Sequence, residues 1–320
     1  MVKLSLIVPI YGVEQYIHKF LDSLEKNLQS NIEVLLIDDG TKDTSGIIAD
    51  KFASKYPEYC TVIHKENGGL SSARNTGLKF ATGQYILFSD PDDSLAPDYV
   101  STVLNAIDKF DAPDIILFDY YSGTYEKGFK VNTVPTFKEG VISKESFIRE
   151  LSIDKYVKSF LVCKAIKKSL YDGLTFNTTT KFAEDYELLT DLAIKVETIA
   201  YVPKPLYYYI KRTTGLTYNQ SVKDAIRFYD LVIDRYTKHS KLYSNISSAR
   251  IIKAAHIVIQ KAYLKKDDDI DLNIFENHIK NNIATIIFSN EFTLNEKKQC
   301  LLVYLGLAKL YYNSKSKHAY

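Results

Sequence analysis

The first half of the chain alternates short apolar segments with longer segments in which apolar residues recur at helical spacing. We predict strands from the first kind and amphipathic helices from the second. The predicted strands cover residues 4–8, 34–37, 61–63, 85–88 and 115–118. Strands that are apolar on both faces and alternate with helices are typical of a parallel sheet covered on both sides. The sequence therefore predicts an α/β fold with a Rossmann-like, mainly parallel sheet.

Polar or turn-forming residues follow three of these predicted strands. The segments are residues 9–11, 38–40 and 90–92. Because ligands of such sheets bind beyond the carboxyl ends of the strands, we expect the three segments to face one crevice. The chain contains neither G-x-G-x-x-G nor G-x-x-x-x-G-K-[ST], which argues against a dinucleotide oxidoreductase and a P-loop enzyme. This convergence predicts a nucleotide site in which metal and basic side chains meet the phosphates.

Three carboxylates, Asp90, Asp92 and Asp93, end the predicted strand at residues 85–88. Such dense negative charge is costly unless a cation or hydrogen bonds offset it. Asp90 and Asp92 are two residues apart, so we predict that both bind one hard divalent ion, which in turn holds a diphosphate. A solvated Asp-Pro-Asp turn is the alternative that this segment alone leaves open.

Charge and cysteine content exclude several other classes of protein. The chain has 41 Lys and Arg against 39 Asp and Glu, and a net charge of +2 is no basis for nucleic-acid binding. Cys60, Cys163 and Cys300 lie far apart without a C-x-x-C spacing, which favours a reducing compartment and argues against a zinc site. No secretory signal and no apolar run of about 18 residues are visible. We expect a cytoplasmic protein.

Helical patterns replace the alternation from about residue 221 onward. We predict two short strands, 198–202 and 206–210, before this change. The helices predicted after it cover residues 225–238, 249–264, 272–288 and 294–312. The change of pattern predicts two domains, 1–216 and 217–320.

Two further charged sites have both a functional and a plain structural interpretation. Glu184 and Asp185 begin a predicted helix at 185–196, where carboxylates also favour the helix dipole. Arg74, near the start of a helix predicted over 70–81, is a candidate to meet a diphosphate, and a solvated helix charge is the alternative.

The last predicted helices combine apolar residues with lysines. Lys297, Lys298 and Lys309 are interspersed with leucines and tyrosines. Such a face either lies on an anionic membrane surface, at the inner face of the plasma membrane, or packs on the catalytic domain or in a homo-oligomer. We prefer packing, and a liposome flotation assay would separate the two.

Four ordered motifs in this chain resemble those of glycosyltransferase family 2, whose members have the GT-A fold. The motifs are IVPIY at 7–11, LIDDGT at 36–41, ENGGLSSARNTG at 66–77 and YILFSDPDD at 85–93. The resemblance covers about residues 3–215 and is greatest to members that build bacterial capsules, exopolysaccharides and other surface glycans. It implies an inverting, metal-dependent transfer of one hexose or N-acetylhexosamine from a UDP-sugar to a glycan acceptor.

The resemblance also implies a nucleotide-binding part and an acceptor part. The nucleotide sugar would bind in about residues 1–120 and the acceptor in about 120–216. Pro9 and Tyr11 would line the uracil pocket, with Tyr11 stacking on the base. Asp39 would accept a hydrogen bond from uracil N3, and Asp38 would shape the pocket.

The reaction centre is implied in the same way. Arg74 would lie near the donor, and Asp90 at the ribose and donor sugar. Asp92 would hold Mn²⁺ or Mg²⁺ against the diphosphate, with Asp93 in support. Asp185 would be the general base that takes the proton of the acceptor hydroxyl, since attack and departure occur on opposite faces and need separate acidic sites.

The chain departs from the family pattern at a few positions. Gly12 replaces a usual Asn, and Ile210 replaces an expected Arg, so only Lys211 and Arg212 remain to close over the diphosphate. The chain has no Trp for the acceptor segment and no Q-x-x-R-W motif, which favours one sugar per encounter over polymerisation.

Two rival functions remain open. A sugar nucleotidyltransferase should carry a Gly-rich, Arg-containing loop after the first strand, which this chain lacks. An inactive scaffold member of the family has no need of intact Asp90, Asp92 and Asp185.

Overall fold

The computed structural model describes residues 3–180, 182–212, 220–267 and 269–316. The chain divides into two compact units. The first comprises residues 1–148 and 156–213, and the second comprises 149–155 and 214–320. The predicted domain boundary at residue 216 lies outside the described residues.

The first unit is built on a ten-stranded sheet. Its strands are β1 (Leu4–Ile10), β2 (Ile32–Asp38), β3 (Cys60–His64), β4 (Tyr85–Phe88), β5 (Ser94–Leu95), β6 (Ile115–Thr124), β7 (Gly128–Asn132), β8 (Gly140–Ile142), β9 (Lys164–Lys167) and β10 (Ile199–Ile210). The helices that accompany them are α1 (Ile17–Glu25), α2 (Ser45–Lys55), α3 (Leu70–Phe80), α4 (Tyr99–Lys109), α5 (Lys144–Ile153) and α6 (Glu184–Lys195). The last residues of α5, from Arg149, belong to the second unit.

The strand order is β3-β2-β1-β4-β9-β6-β10-β5, with β7 beside β6 and β8 beside β10. The four strands β3, β2, β1 and β4 are all parallel, as predicted. The remainder is mixed, because β9 runs antiparallel to both of its neighbours. Since β1 lies between β2 and β4, the three polar segments that follow these strands emerge at one edge of the sheet.

Strand β1 was predicted to end before Pro9, but it continues to Ile10. A central proline is tolerated because β4 pairs with β1 only as far as Ile7. Ile7 still accepts a hydrogen bond from the Ser89 amide, 3.1 Å away. Pro9 faces the same side two residues later, where no strand partner remains, so its missing N–H costs little.

The two strands predicted around Pro203 and Pro205 form the single strand β10. Its parallel register with β6 shifts between Val202 and Pro205 and again before Tyr207. These irregularities absorb the prolines, which cannot donate to the ladder. The continuous strand places Tyr207 opposite Leu95 of β5, with its hydroxyl at the amide of Asp90, just after β4.

Helix α3 packs unusually close to β1 at Gly77. A Cβ at this position would lie 2.3 Å from Cγ2 of Ile7, which is closer than real carbon atoms approach. Glycine therefore sets the distance between helix and sheet. This close approach brings the buried face of α3, including Arg74, against the carboxyl ends of the strands.

The second unit is helical. Its helices are α7 (Val222–Ser240), α8 (Ala249–Lys265), α9 (Asn273–Lys280), α10 (Ile283–Phe288), α11 (Leu294–Tyr304) and α12 (Ala308–Ser316). The helix predicted over 272–288 is two helices, and so is the one predicted over 294–312. The second break falls at Gly306, whose φ of 72° no continuing helix adopts. Among the described residues, no helix has the length and apolar character needed to cross a bilayer.

Candidate active site

The candidate site is built around Arg74 of α3. This side chain is only 2% exposed, so the solvated helix charge considered from the sequence is wrong. Its Nη1 donates to Asp185, at 2.7 Å, and to Glu184, at 2.8 Å, and its Nη2 lies 3.3 Å from Asp90. The guanidinium also lies over the ring of Phe88. One buried cation therefore joins the acidic motif after β4 to the acidic pair at the start of α6.

Asp185 faces this cation, and within the described part of the chain no amide of its own helix donates to its carboxylate. Helix α6 has no side-chain cap, and the preceding Ala183 adopts a left-handed conformation, with φ of 62°. The second carboxylate oxygen of Asp185 accepts the amide of Leu161, at 3.1 Å. Burial raises the pKa of Asp185 to about 7, although Arg74 opposes the shift. A carboxyl group with such a pKa exchanges a proton near neutral pH.

The three carboxylates after β4 have different surroundings. Asp93 is buried and accepts hydrogen bonds from the Tyr207 hydroxyl and the Ile210 amide, each at 2.8 Å. Asp92 is partly exposed, and its carboxylate lies 2.5 Å from Nη1 of Arg212. Burial raises the pKa of Asp90 and of Asp92, and the charge of Asp90 raises the pKa of Asp92 further. The negative charge of this motif is therefore only partly neutralised by the protein.

Tyr207 fixes the backbone of the acidic motif. Its hydroxyl accepts the amide of Asp90, at 3.1 Å, and donates to Asp93. Because Tyr207 is fully buried in β10, the turn is held on the sheet while Asp90 and Asp92 keep partly exposed carboxylates.

The ends of β1 and β2 form the second part of the site. Pro9 is buried, whereas Tyr11 beyond the strand is 52% exposed, so its ring offers a face for stacking. Asp38 accepts the amide of Thr41, at 2.9 Å, and contacts Nδ1 of His64, at 2.8 Å. Its carboxylate therefore shapes the loop.

Asp39 is held by the loop that precedes α3. Its two carboxylate oxygens accept the amides of Gly68 and Gly69, with distances of 3.0 and 2.7 Å to the nearer oxygens. Nζ of Lys65 lies 2.5 Å from Oδ1 of the same carboxylate. The conformation of this loop thus depends on Asp39.

Sequence reasoning missed three residues of this site. Lys65 and His64 follow or end a short strand and match no motif, and Tyr207 is one of many tyrosines. The signal for Tyr207 is its position in a buried strand that ends beside the acidic motif. The positive charge of Lys65 did not distinguish it in the sequence from the other lysines.

The oxygen ligands fit a divalent cation only in part. No group of three or more His, Cys, Asp or Glu side chains among residues 3–180, 182–212, 220–267 and 269–316 is arranged to hold a metal ion. Asp90 and Asp92 nevertheless present hard carboxylate oxygens with unbalanced charge, as Mn²⁺ and Mg²⁺ prefer. Two protein ligands suit an ion that also binds phosphate oxygens and water.

Comparison with protein-family models shows which family this site belongs to. The model described as "Glycosyl transferase family 2" matches residues 5–179, which include all four motifs. The chain belongs to glycosyl transferase family 2. Glu184 and Asp185, which contact Arg74, lie beyond the matched segment, and so do Tyr207 and Arg212, which contact the acidic motif.

Curated relatives carry related names. The chain is 34% identical over 241 residues to Glycosyltransferase GlyA of Streptococcus pneumoniae, covering 73% of this chain and 34% of GlyA. It is 29% identical over 241 residues to the minor teichoic acid biosynthesis protein GgaB of Bacillus subtilis, covering 73% of this chain and 26% of GgaB. The chain thus spans about a third or less of the length of these two relatives.

A solved structure shows the same fold. S. aureus TarS 1–349, crystallised in complex with UDP-GlcNAc, has a TM-score of 0.59 and 20% identity, covering all of this chain and 93% of that one. The expected GT-A fold with a helical C-terminal region is confirmed.

Proposed function

We propose that this chain is an inverting, metal-dependent glycosyltransferase of the UDP-sugar-dependent type. It moves one hexose or N-acetylhexosamine to a glycan acceptor in the synthesis of a bacterial surface polysaccharide or glycoprotein glycan. The observation that carries the proposal is that Arg74 joins Asp90 to Asp185 in one site. A displacement at an anomeric carbon needs a base on one face and charge neutralisation of the leaving group on the other.

Asp185 takes the part of the base. Its carboxylate is held by Arg74 and by the Leu161 amide, so its orientation is set before an acceptor arrives. Because its pKa is raised, the carboxylate is a better proton acceptor than an ordinary aspartate. It takes the proton of the acceptor hydroxyl as that oxygen attacks the anomeric carbon.

Asp90 and Asp92 take the part of metal ligands. Their partly exposed carboxylates and raised pKa values indicate a site that gains from one further positive charge. Mn²⁺ or Mg²⁺, when bound there, neutralises the diphosphate of the leaving group. Asp93 supports the turn through Tyr207 and Ile210.

The nucleotide lies at the ends of β1 and β2. Tyr11 stacks on uracil, beside Pro9, and Asp39 accepts the N3–H. Asp38 shapes the pocket through Thr41 and His64. The Nε of Arg74 has no hydrogen-bond partner among the described residues, which leaves one buried donor for the nucleotide sugar.

The names of similar proteins support the choice of donor and product. TarS 1–349 was crystallised with UDP-GlcNAc, and GgaB is named for minor teichoic acid biosynthesis. The first name supports a nucleotide-sugar donor, and the second supports a role in the synthesis of a cell-surface glycan.

The helical unit supplies a surface for further contacts. Leu294 and Leu301 of α11 are exposed, as is Leu305 directly after the helix, and the exposed Lys298 lies between the first two in the sequence. This surface suits either peripheral contact with an anionic membrane or a homo-oligomer. Liposome flotation and sedimentation of the chain separate these two partners.

Donor hydrolysis tests the proposal. Purified protein is incubated with UDP-glucose, UDP-galactose and their N-acetylamino forms, with Mn²⁺ or with EDTA, and UDP release is measured. We expect release with one donor, its loss with EDTA, and its loss in Asp92→Ala. Asp98→Asn is the control, because it removes a partly exposed carboxylate that is paired with Lys204 and does not belong to the acidic motif. Absence of release from every donor would indicate an inactive family member.

Asp185→Asn tests the base separately. We expect it to bind UDP as the wild type does but to lose transfer to an acceptor by about 100-fold or more. Full transfer activity in this variant would mean that the base is another residue.

A further inference from the structure

An ion pair between Lys65 and Asp39 forms part of the proposed uracil pocket. Lys65 follows β3, and its Nζ lies 2.5 Å from Oδ1 of Asp39 and 2.5 Å from the carbonyl oxygen of Glu66. The side chain of Asp39 is 3% exposed and that of Lys65 is 19% exposed. Asp39 is therefore buried and Lys65 is partly shielded from water, a setting in which hydrogen bonds to charged groups are stronger than in bulk water.

The hydrogen bonds of the pair leave it with two specific vacancies. Oδ1 of Asp39 accepts from Lys65 and from the Gly68 amide, while Oδ2 accepts from Gly69 at 2.7 Å and weakly from Gly68 at 3.2 Å. Because the two oxygens share the Gly68 amide, three donors of the described part of the chain meet this carboxylate, which has about four acceptor positions, so one position remains. An ammonium group has three donors, and Lys65 uses two of them, on Asp39 and Glu66. Among the described residues, the pair is therefore left with one acceptor and one donor.

We propose that Lys65 selects the base of the nucleotide by donating a hydrogen bond to O4 of uracil, next to the N3–H that Asp39 accepts. This inference rests on the proposed function and deepens it. Uracil presents a donor beside an acceptor on this edge. Cytosine presents the reverse, an unprotonated N3 beside an amino group, so it would place an acceptor against a carboxylate and a donor against an ammonium. Two acceptors or two donors that face each other cannot form a hydrogen bond, so binding of cytosine is strongly disfavoured.

The same pattern of one donor and one acceptor limits which bases Lys65 and Asp39 can distinguish. Guanine presents a donor and an acceptor in the order that uracil does, so the pair separates keto bases from amino bases and does not by itself separate uracil from guanine. The comparison that tests Lys65 is therefore UDP against CDP.

Calorimetric titration of UDP and of CDP, with Mn²⁺ present throughout, tests this role. The variants are Lys65→Met, Lys65→Arg and, as the matched control, Lys42→Met, which removes an exposed positive charge from the loop after β2. We expect Lys65→Met to reduce the ratio of UDP to CDP affinity about tenfold, since one hydrogen bond from a charged donor is lost for UDP only. Lys65→Arg keeps most of the preference, and Lys42→Met leaves the ratio unchanged.

Several outcomes would overturn the inference. Equal weakening of UDP and CDP in Lys65→Met would mean that Lys65 only balances the charge of Asp39. A wild type that binds CDP as tightly as UDP would remove the selection itself. A wild type that binds neither nucleotide would overturn the proposed function together with this inference, whereas tight UDP binding with an unchanged ratio would overturn the inference alone.

A measurement on the wild type guards against a variant that fails to fold. 4-Thio-UDP carries sulfur, a weaker hydrogen-bond acceptor than oxygen, at the position that Lys65 would contact. We expect it to bind the wild-type protein several-fold more weakly than UDP. Equal affinity would show that no donor reads this position.

Discussion

Arg74 and Asp185 lie 111 residues apart in the chain and share a hydrogen bond of 2.7 Å. Arg74 also contacts Glu184 and Asp90, so a single buried cation is shared by three carboxylates and offsets only part of their charge. Arg74 therefore has an electrostatic and a geometric role. It lowers the free-energy cost of burying Asp185 and fixes the direction in which that carboxylate points.

Arg74→Met should unfold more easily and lose activity. Removing one partner of a buried ion pair leaves uncompensated charge, which costs roughly 3 kcal/mol or more of unfolding free energy. Chemical denaturation monitored by circular dichroism measures this change. Lys79→Met removes an exposed charge from the same helix and should stay within about 0.5 kcal/mol of the wild type. Equal stability of the two variants would contradict a central role for Arg74.

Transfer should depend on pH through Asp185. This carboxyl group accepts a proton only when it is ionised, and its pKa is raised to about 7 by burial. We therefore expect kcat/KM to fall as the pH drops below about 7. A bound cation would lower the pKa of Asp185 and would move the midpoint of this fall to a lower pH. The rate is measured as UDP release in the presence of acceptor between pH 5 and 8, a range that includes side-chain pKa values close to neutral. A flat profile over this range would contradict the assignment of Asp185 as the base.

Arg212 should compete with the metal ion. Its guanidinium lies beside Asp92 and over the ring of Tyr16, where it partly neutralises the acidic motif. Arg212→Gln should therefore bind Mn²⁺ about tenfold more tightly in the absence of nucleotide, because a like charge has been removed from the site. The adjacent Lys211→Gln is the control and should change Mn²⁺ affinity little. Calorimetry measures both, and the same affinity in both variants would contradict the competition.

Gly77→Ala should destabilise the first unit through its contact with Ile7. The new methyl group would overlap Cγ2 of Ile7, and overpacking of this kind costs roughly 1–3 kcal/mol. The double variant Ile7→Ala/Gly77→Ala should lose less stability than the sum of the two single variants, because the overlap is gone. Strict additivity of the measured unfolding free energies would show that the helix shifts freely.

The parallel half of the sheet was predictable because local patterns decide it. Strand β4 has the predicted ends, 85–88, since a run of apolar residues reports burial on both faces of a strand. The antiparallel strand β9 was not predicted. Only four residues long, it is stabilised by pairing with β4 and β6, and no local signal reports a distant partner.

The sequence alone determined that acidic side chains would collect at one edge of a parallel sheet, because carboxyl ends of parallel strands share an edge. Tertiary structure decided which charges meet there. Arg74 reads in the sequence as an ordinary helix charge, yet it is buried because Gly77 lets α3 approach β1 and because Asp185 arrives from a helix formed more than one hundred residues later. Long-range packing sets burial and partners, and burial and partners set the chemistry of a carboxyl group.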